Sequence, residues 1–308
     1  MWRYVVRRLI QIVPVFLGTT LLIYTLVFAL PGDPVKALAG EKPLPASVLH
    51  ALHERYNLDD PFVVQYGKYL GNLLTGNFGE TFTGQSVAGL MADRWTVTAQ
   101  LAATAWIFEM VVGIGLGVVA GLRRGRLGDT AVLAVTTLLI SVPTFVVGYT
   151  AQLFFGLKLE WFPTAGTTEG WPVSYLLPGI VLGAFGLAYV ARLTRTSLAE
   201  NLRADYVRTA TAKGMSRLRV IVRHTLRNSL IPVVTYLGVD LGNLMAGSIV
   251  TEGIFNLPGI GQQVFQSIQL MEGPVVVGIT TFLVLIYLLA NLIVDILYGF
   301  LDPRIRYE

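Results

Sequence analysis

Six long apolar runs constrain the fold of this sequence more than any other feature. They fall at about residues 9–30, 97–122, 130–157, 175–193, 230–249 and 275–300. About twenty helical residues, rising about 1.5 Å each, cross the roughly 30 Å hydrocarbon core of a bilayer. Charged residues make up only 14% of the chain, against about 25% in a soluble domain. The pattern predicts an all-α membrane protein with six transmembrane helices.

The first run resembles a secretory signal, because a basic start precedes it and small residues follow at 37–39. Its 22 residues exceed the roughly 7–15 apolar residues of a signal peptide, and further spans follow it. We therefore expect residues 1–30 to form an N-terminal segment and a retained first helix. Residues 31–96 are mostly polar and contain two amphipathic pieces, which predicts a small helical cap. Residues 97–308 are predicted to form a five-helix core. Glycines at four-residue spacing, at 113, 117 and 121 and at 179 and 183, are expected to let its helices pack closely.

The distribution of charge predicts the orientation of the spans. If the N-terminus is cytoplasmic, the cytoplasmic regions hold 17 Lys and Arg residues and the outer loops hold 6. Acidic residues are distributed the other way, with 11 outside and 5 inside. Since positive residues favour the cytoplasmic side, both termini are predicted to be cytoplasmic and the cap extracytoplasmic.

Several chemical functions find little support in the sequence. There is no cysteine, so thiol catalysis and cysteine metal sites are excluded. His50 and His53 lack a third ligand at metal-binding spacing and are better interpreted as a solvated helix face. No phosphate-binding loop occurs, because the Gly67-Lys68 pair is followed by Tyr69. Nucleotide energy would therefore have to come from a partner.

Three acidic residues, Glu109, Asp240 and Asp295, lie within the predicted spans. Ionisable groups are costly inside a membrane and tend to face a polar cavity. Asp295 is near enough to the cytoplasmic end to be interfacial. For Glu109 and Asp240, lining of a translocation pathway and buried pairing are both open.

The segment from Arg203 to Pro232 is the long polar stretch of the C-terminal half, with seven Lys and Arg residues and one acid, Asp205. Lys213 before Gly214 is typical of a helix end followed by a left-handed turn, and Ser216 can cap the next helix. A small and apolar stripe is predicted at 207, 210, 214, 218, 221 and 225. The segment could be a lipid-attracted basic loop, a helix-turn-helix for nucleic acid or a docking element for a cytoplasmic protein. Tethering between two spans disfavours nucleic acid.

At these residues the sequence resembles the membrane subunits of bacterial oligopeptide and dipeptide ABC importers. Segments 208–214 (RTATAKG) and 223–228 (RHTLRN), followed by Pro232-Val233, are similar to the EAA coupling motif of that family. Arg208-Thr209-Ala210 stands where the general motif has Glu-Ala-Ala, and an acid at Asp240 also departs from the expected pattern. The resemblance extends over the chain through PGDP at 31–34, GNFG at 76–79, SVP at 141–143, ARLTR at 191–195, DYVR at 205–208, LPGIG at 257–261 and LDPR at 301–304.

The resemblance implies a type I ABC importer permease fold in the bacterial inner membrane. It implies a second homologous permease subunit, two cytoplasmic ATPases and an extracytoplasmic binding protein that delivers short peptides. ATP and Mg would bind to the ATPases, and this chain would bind no cofactor. Glu252 and Glu272 would help to dock the binding protein. The implied coupling helices at 204–228 would contact the ATPases through Arg208, Ala210, Ala212, Lys213, Gly214, Arg217 and His224.

Two other classes of protein remain to be separated from the importer. A self-sufficient secondary transporter or channel could use Glu109 and Asp240 as an ion relay. A membrane-embedded hydrolase would need a Ser/His or metal constellation in the spans, and the sequence contains none.

Overall fold

The computed structural model describes residues 2–29 and 45–301. All the secondary-structure elements assigned in those residues are helices. One isolated antiparallel bridge joins Glu80 to Ser86. The predicted turn at 31–34 and the tail motif after 301 lie outside the described residues. The helices are α1 (Trp2–Phe28), α2 (Ala46–Tyr56), α3 (Phe62–Leu74), α4 (Val87–Leu122), α5 (Leu127–Ser141), α6 (Thr144–Lys158), α7 (Val173–Asn201), α8 (Asp205–Ala212), α9 (Arg217–Ser229), α10 (Ile231–Gly247), α11 (Ile249–Ile254), α12 (Ile260–Gln269) and α13 (Gly273–Leu301).

Four of the described helices, α1, α4, α7 and α13, are individually long and apolar enough to cross a membrane. Two bent pairs, α5 with α6 and α9 with α10, pass the same criterion together. The described chain therefore contains four candidate spans, or six if each bent pair is one span. The six-span topology with cytoplasmic termini stays a prediction.

The third predicted span is not one continuous helix. Helices α5 and α6 meet at 103° around Val142 and Pro143. Proline has no N–H and disfavours helical geometry in the residue before it. Val142 is accordingly extended, with φ −95° and ψ 126°, and Pro143 occupies the N-cap of α6. The sequence prediction placed Pro143 inside a span, and the structure places it at a break.

The described chain divides into two compact units. One comprises the described parts of Met1–Thr98 and Leu257–Glu308, and the other is Ala99–Asn256. The division differs from the predicted 31–96 cap and 97–308 core, because the C-terminal helix α13 groups with α1 and the cap helices. Packing of α1 against α13 accounts for this grouping.

In the first unit, the aromatic face predicted for the second cap helix packs against α1. The Tyr24 ring is buried and lies 4.6–5.8 Å, between ring centroids, from four other aromatic rings, those of Phe28, Phe62, Tyr66 and Tyr69. The Tyr66 hydroxyl donates to Leu17 O at 3.0 Å, and the Tyr69 hydroxyl donates to Thr281 Oγ1 at 2.7 Å. Helix α3 therefore lies along α1 as far as Leu17, in the middle of the first apolar run.

The second unit is organised around α7, which is the most buried of the four long helices. Glycines of α4 let its backbone approach α7 closely. A Cβ on Gly117 would lie 2.6 Å from Ala191 O, and one on Gly121 would lie 3.2 Å from Arg195 O. On the other side, a Cβ on Gly183 would lie 2.7 Å from Ala105 O. The expectation that the glycine series in these two runs serves packing is confirmed.

Candidate functional site

The basic segment folds into two short helices joined by a glycine turn. Helix α8 ends at Ala212, and Gly214 adopts the left-handed region with φ +78°. The amide of Gly214 donates to Thr211 O at 2.9 Å, and the amide of Met215 donates to Ala210 O at 3.4 Å. This pair of hydrogen bonds is the Schellman motif, in which glycine is favoured because it has no Cβ. The predicted turn is confirmed at Gly214.

A small apolar cluster holds the two helices together. Val207 and Ala210 of α8 and Val220 of α9 are buried, and Met215 packs against them. The contact of Met215 with α8 is the hydrophobic contact that commonly accompanies a Schellman motif. We call residues 204–226, with this turn and cluster, the hairpin. Ala210, one of the residues implied to contact an ATPase, is therefore used inside the hairpin.

The predicted apolar stripe is wrong at Leu218, beyond the turn. The Leu218 residue is 73% exposed, whereas Val220, outside the predicted stripe, is buried. The stripe assumed one helical period throughout, and the turn at Gly214 resets that period. A wider π-helical turn at Val220–Leu226 shifts it again, and the hydroxyl of Thr225 donates to Val220 O at 3.1 Å. Thr225, the last predicted position of the stripe, is buried.

The exposed surface of the hairpin carries both charges and apolar side chains. Arg208, Ala212, Lys213 and Arg217 are exposed, and His224 is half-buried. Three exposed apolar or aromatic side chains, which the sequence analysis did not select, join them on this surface: Tyr206 (40%), Leu218 (73%) and Val222 (54%). The hairpin therefore presents basic and apolar groups together on its exposed surface.

The hairpin is tied to α7 through the end of α9. The Ser229 hydroxyl is buried, and it donates to Thr225 O at 2.8 Å and lies 3.4 Å from Ser197 O of α7. A movement of α9 would therefore shift this contact with α7, the central helix of the unit. Helix α10 continues from α9 with a bend of 46°, and Pro232 lies in its first turn as expected.

A second tie connects α7 to the loop between α4 and α5. Arg195 donates to both carboxylate oxygens of Asp129, with Nη2 2.7 Å from Oδ2. The amide of Gly125 also donates to Asp129 Oδ2 at 2.9 Å. Only 4% of the Asp129 side chain is exposed. A bidentate pair of this kind fixes orientation as well as charge.

The two intramembrane acids come together in the second unit. Glu109 of α4 is fully buried, and Asp240 of α10 is 7% exposed. A Cβ on Gly186 of α7 would overlap Glu109 Oε2 and would lie 3.0 Å from Asp240 Oδ2. The carboxyl groups therefore meet over a glycine that leaves them room. We call Glu109 and Asp240 the carboxyl pair.

The oxygens of the carboxyl pair are poorly satisfied within the described residues. Both oxygens of Glu109 and Oδ2 of Asp240 are buried there without a hydrogen-bond partner. Asp240 Oδ1 accepts from Asn243 Nδ2 at 3.3 Å. Glu109 begins a π-helical turn, Glu109–Gly113, which displaces later side chains around α4.

A cavity of about 420 Å³ opens beside the pair and is lined by Asp240 and Asn243. A series of three aromatic rings begins at this cavity, and we call it the aromatic wall. Phe185 lines the cavity, its ring centroid is 5.0 Å from that of Tyr189, and Tyr189 stacks on Tyr236 at 5.9 Å. Tyr236 interacts electrostatically with both carboxyl groups. The structure therefore brings together two acids that are 131 positions apart in sequence and adds an aromatic wall.

The two glutamates implied to dock a binding protein differ in exposure. The 252–274 segment contains α11 and α12 and is not an open loop. Glu252 lies in α11 and is fully buried, so its side chain offers no surface to a partner. This burial argues against the docking role at Glu252. Glu272 is partly exposed just before α13.

Comparisons with known proteins identify the family. Residues 113–307 match the binding-protein-dependent transport system inner membrane component, and residues 1–102 match the N-terminal part of such components. The chain is 39% identical to the di/tripeptide transport system permease protein of Pseudomonas aeruginosa (strain UCBPP-PA14), with all of both chains covered. It is 36% identical to the glutathione transport system permease protein of Escherichia coli (strain K12), again over all of both chains.

A solved structure supports the fold at lower sequence identity. A chain of the inward-facing MetNI methionine ABC transporter matches with a TM-score of 0.51 and 18% identity. The match covers 67% of this chain and 94% of that chain. The family matches and the full-length relatives confirm the resemblance to the membrane subunits of peptide ABC importers. The chain belongs to the family of binding-protein-dependent transport system inner membrane components and is a permease subunit of an ABC transporter, whose ATPase is a separate subunit.

Proposed function

We propose that this chain forms one side of the translocation pathway for short peptides in an ATP-driven importer. The observation that carries the proposal is the full-length similarity to permeases named for di/tripeptides, dipeptides and glutathione. Those three substrates share an α-amino acid backbone with a free amino group. Their common chemistry defines the substrate class proposed here.

The hairpin is proposed as the docking element for a cytoplasmic ATPase. Its exposed basic and apolar side chains supply a surface that a partner can contact. Its buried cluster holds the two short helices in a fixed arrangement. ATP binding acts as a ligand that favours one conformation of the complex and shifts its population. The contact of Ser229 with α7 offers a route by which a shift of the hairpin reaches the membrane helices.

The other partners are proposed from the family. A homologous but different permease subunit would complete the pathway, and an extracytoplasmic binding protein would deliver the substrate. For this docking the proposal retains the cap and Glu272, which is partly exposed. The charge distribution supports a cytoplasmic position for both termini and the hairpin.

Purification of the chain from its native membrane tests the proposed assembly. A tag on this subunit should recover a second permease subunit and an ATPase in stoichiometric amounts. Cross-linking from Cys introduced at the exposed Leu218 position should join the chain to the ATPase, because the sequence has no other cysteine. Cys at Val63, which is 78% exposed in α3, is the matched control and should not cross-link to the ATPase. Recovery of the chain alone, or equal cross-linking from both positions, would refute the assignment.

A further inference from the structure

We propose that the carboxyl pair, with the aromatic wall beside it, is a subsite for the protonated amino group of the transported substrate. This inference deepens the proposed function and rests on it, since it assigns a chemical group of the substrate to named residues. Three independent observations carry it: the unsatisfied carboxyl oxygens, the cavity and the aromatic rings.

The first observation is that most oxygens of the buried carboxyl pair have no hydrogen-bond donor in the described part of the chain. Buried carboxyl groups are normally hydrogen-bonded or paired with a cation. Within residues 2–29 and 45–301, both oxygens of Glu109 and one of Asp240 accept no hydrogen bond. Two carboxyl groups this close to each other and to Tyr236 can share a proton or accept from a cationic donor, and an ammonium group supplies up to three N–H donors.

The second observation is access. Asp240 and Gly186 line the cavity, so a ligand in it can reach Asp240 directly. Glu109 lies on the protein side of Gly186, next to Oδ2 of Asp240. Asn243 donates to Oδ1 of Asp240, and Oδ2 is buried against Gly186, so a small shift of Asp240 is needed for Oδ2 to meet a ligand.

The third observation decides what kind of cation fits. In the described part of the chain no group of three or more His, Cys, Asp or Glu side chains could hold a metal ion. The faces of aromatic rings attract ammonium groups within about 6 Å of a ring centroid. Phe185 lines the cavity, its ring is followed by those of Tyr189 and Tyr236, and Tyr236 interacts with Asp240. An organic ammonium group therefore suits this site better than a metal ion.

A labelling experiment tests the site without relying on transport. Thr144 lines the same cavity and is exposed, and the chain has no native cysteine. In the complete complex, the Thr144→Cys thiol should react about tenfold faster with a trimethylammonium-bearing thiosulfonate than with a sulfonate-bearing one, since the local field is negative. Asp240→Asn should reduce this preference, and Glu160→Gln, an exposed carboxyl elsewhere in the unit, should leave it unchanged.

Protection of the thiol identifies the ligand group. Dialanine at saturating concentration should slow labelling of Thr144→Cys, and N-acetyl-dialanine should not. Asp240→Asn should weaken the protection by about 10- to 100-fold in dialanine concentration, as expected for loss of a charged hydrogen bond. Tyr236→Phe should keep most of it, because the ring remains.

Three results would overturn the inference. The thiol could be unreactive in the complex, which would mean that the cavity is closed to water. Equal rates with the two reagents, with a preference that appears only at high pH, would mean that a proton satisfies the pair. Equal protection by both peptides would mean that no amino group is recognised. Failure of ATP-driven peptide uptake with a cation-selective thiol would instead refute the proposed function and leave an ammonium site of another role.

Discussion

Replacement of Gly214 distinguishes two reasons for a glycine in the hairpin: the left-handed backbone of the turn and the close approach of a partner. The residue needs a left-handed backbone with φ +78°, and nothing within 4 Å would oppose a Cβ in the isolated chain. A residue with a Cβ in this region costs about 1–2 kcal/mol, and Asn tolerates it better than most residues. The cost comes from backbone geometry alone unless a partner approaches the glycine.

The magnitude follows from the size of the cluster that the turn supports. Full burial of a valine contributes about 1.5–3 kcal/mol, and the hairpin has only the small cluster around Val207, Ala210 and Val220. A strain of 1–2 kcal/mol is comparable to one of these side chains and changes the ratio of closed to open hairpin by about 5- to 30-fold. Gly214→Val should therefore reduce peptide-dependent ATP hydrolysis by at most about that factor, and by less where the closed hairpin predominates, while the chain still inserts into the membrane.

The assay compares variants in reconstituted complex. Gly76 ends the second cap helix with φ +77° and also has nothing within 4 Å of a Cβ, so Gly76→Val carries the same strain outside the hairpin. Gly214→Val should lose stimulated hydrolysis, and Gly76→Val should retain it. If Gly214→Asn restores hydrolysis, the glycine serves the turn, and if it does not, a partner approaches the backbone closely. Unchanged hydrolysis in Gly214→Val would refute the docking role of the hairpin.

Three further predictions concern packing, charge and docking. Gly117→Leu should lower the free energy of unfolding of the purified subunit, measured by thermal melting, by about 1–3 kcal/mol, because a Cβ would lie 2.6 Å from Ala191 O of α7. Gly115→Leu should leave it unchanged, because nothing lies within 4 Å of a Cβ there. Asp129→Asn should destabilise the second unit by about 3 kcal/mol, since it leaves Arg195 without its carboxylate, and a wild-type melting curve would contradict this. Glu272→Lys should weaken binding-protein association measured by surface plasmon resonance, and unchanged affinity would remove it from the docking surface.

The sequence predicted those parts of the structure that depend on neighbouring residues. Lys213-Gly214 indicated the turn, and the glycine series on α4 indicated close packing, because both signals lie within one helix or at its end. Pro143 was predicted inside the third span but the break there was not, although the effect of proline on the preceding residue could have indicated it. The sequence alone did not reveal the exposure of Leu218, because the period of the second helix depends on a turn and a π-helical segment.

The candidate site in the second unit depended on tertiary structure. Glu109 and Asp240 were selected as costly intramembrane acids, but no local signal joined them. The two carboxyl groups can approach each other only because Gly186, on a third helix, has no side chain. No periodic pattern in the sequence indicates that Gly186 lies beside them. The burial of Glu252 was missed for the same reason, since the residues around it are brought there by tertiary packing.

The role as an ATP-driven permease is tested most directly by uptake into proteoliposomes that contain the complete complex. Dialanine or another short peptide, supplied with the binding protein, should accumulate only when ATP is present on the ATPase side. Accumulation should stop when the ATPase subunit is omitted and should not respond to a proton or sodium gradient. Uptake by this chain without the ATPase, driven by an ion gradient, would contradict the account and would favour a secondary transporter that uses Glu109 and Asp240.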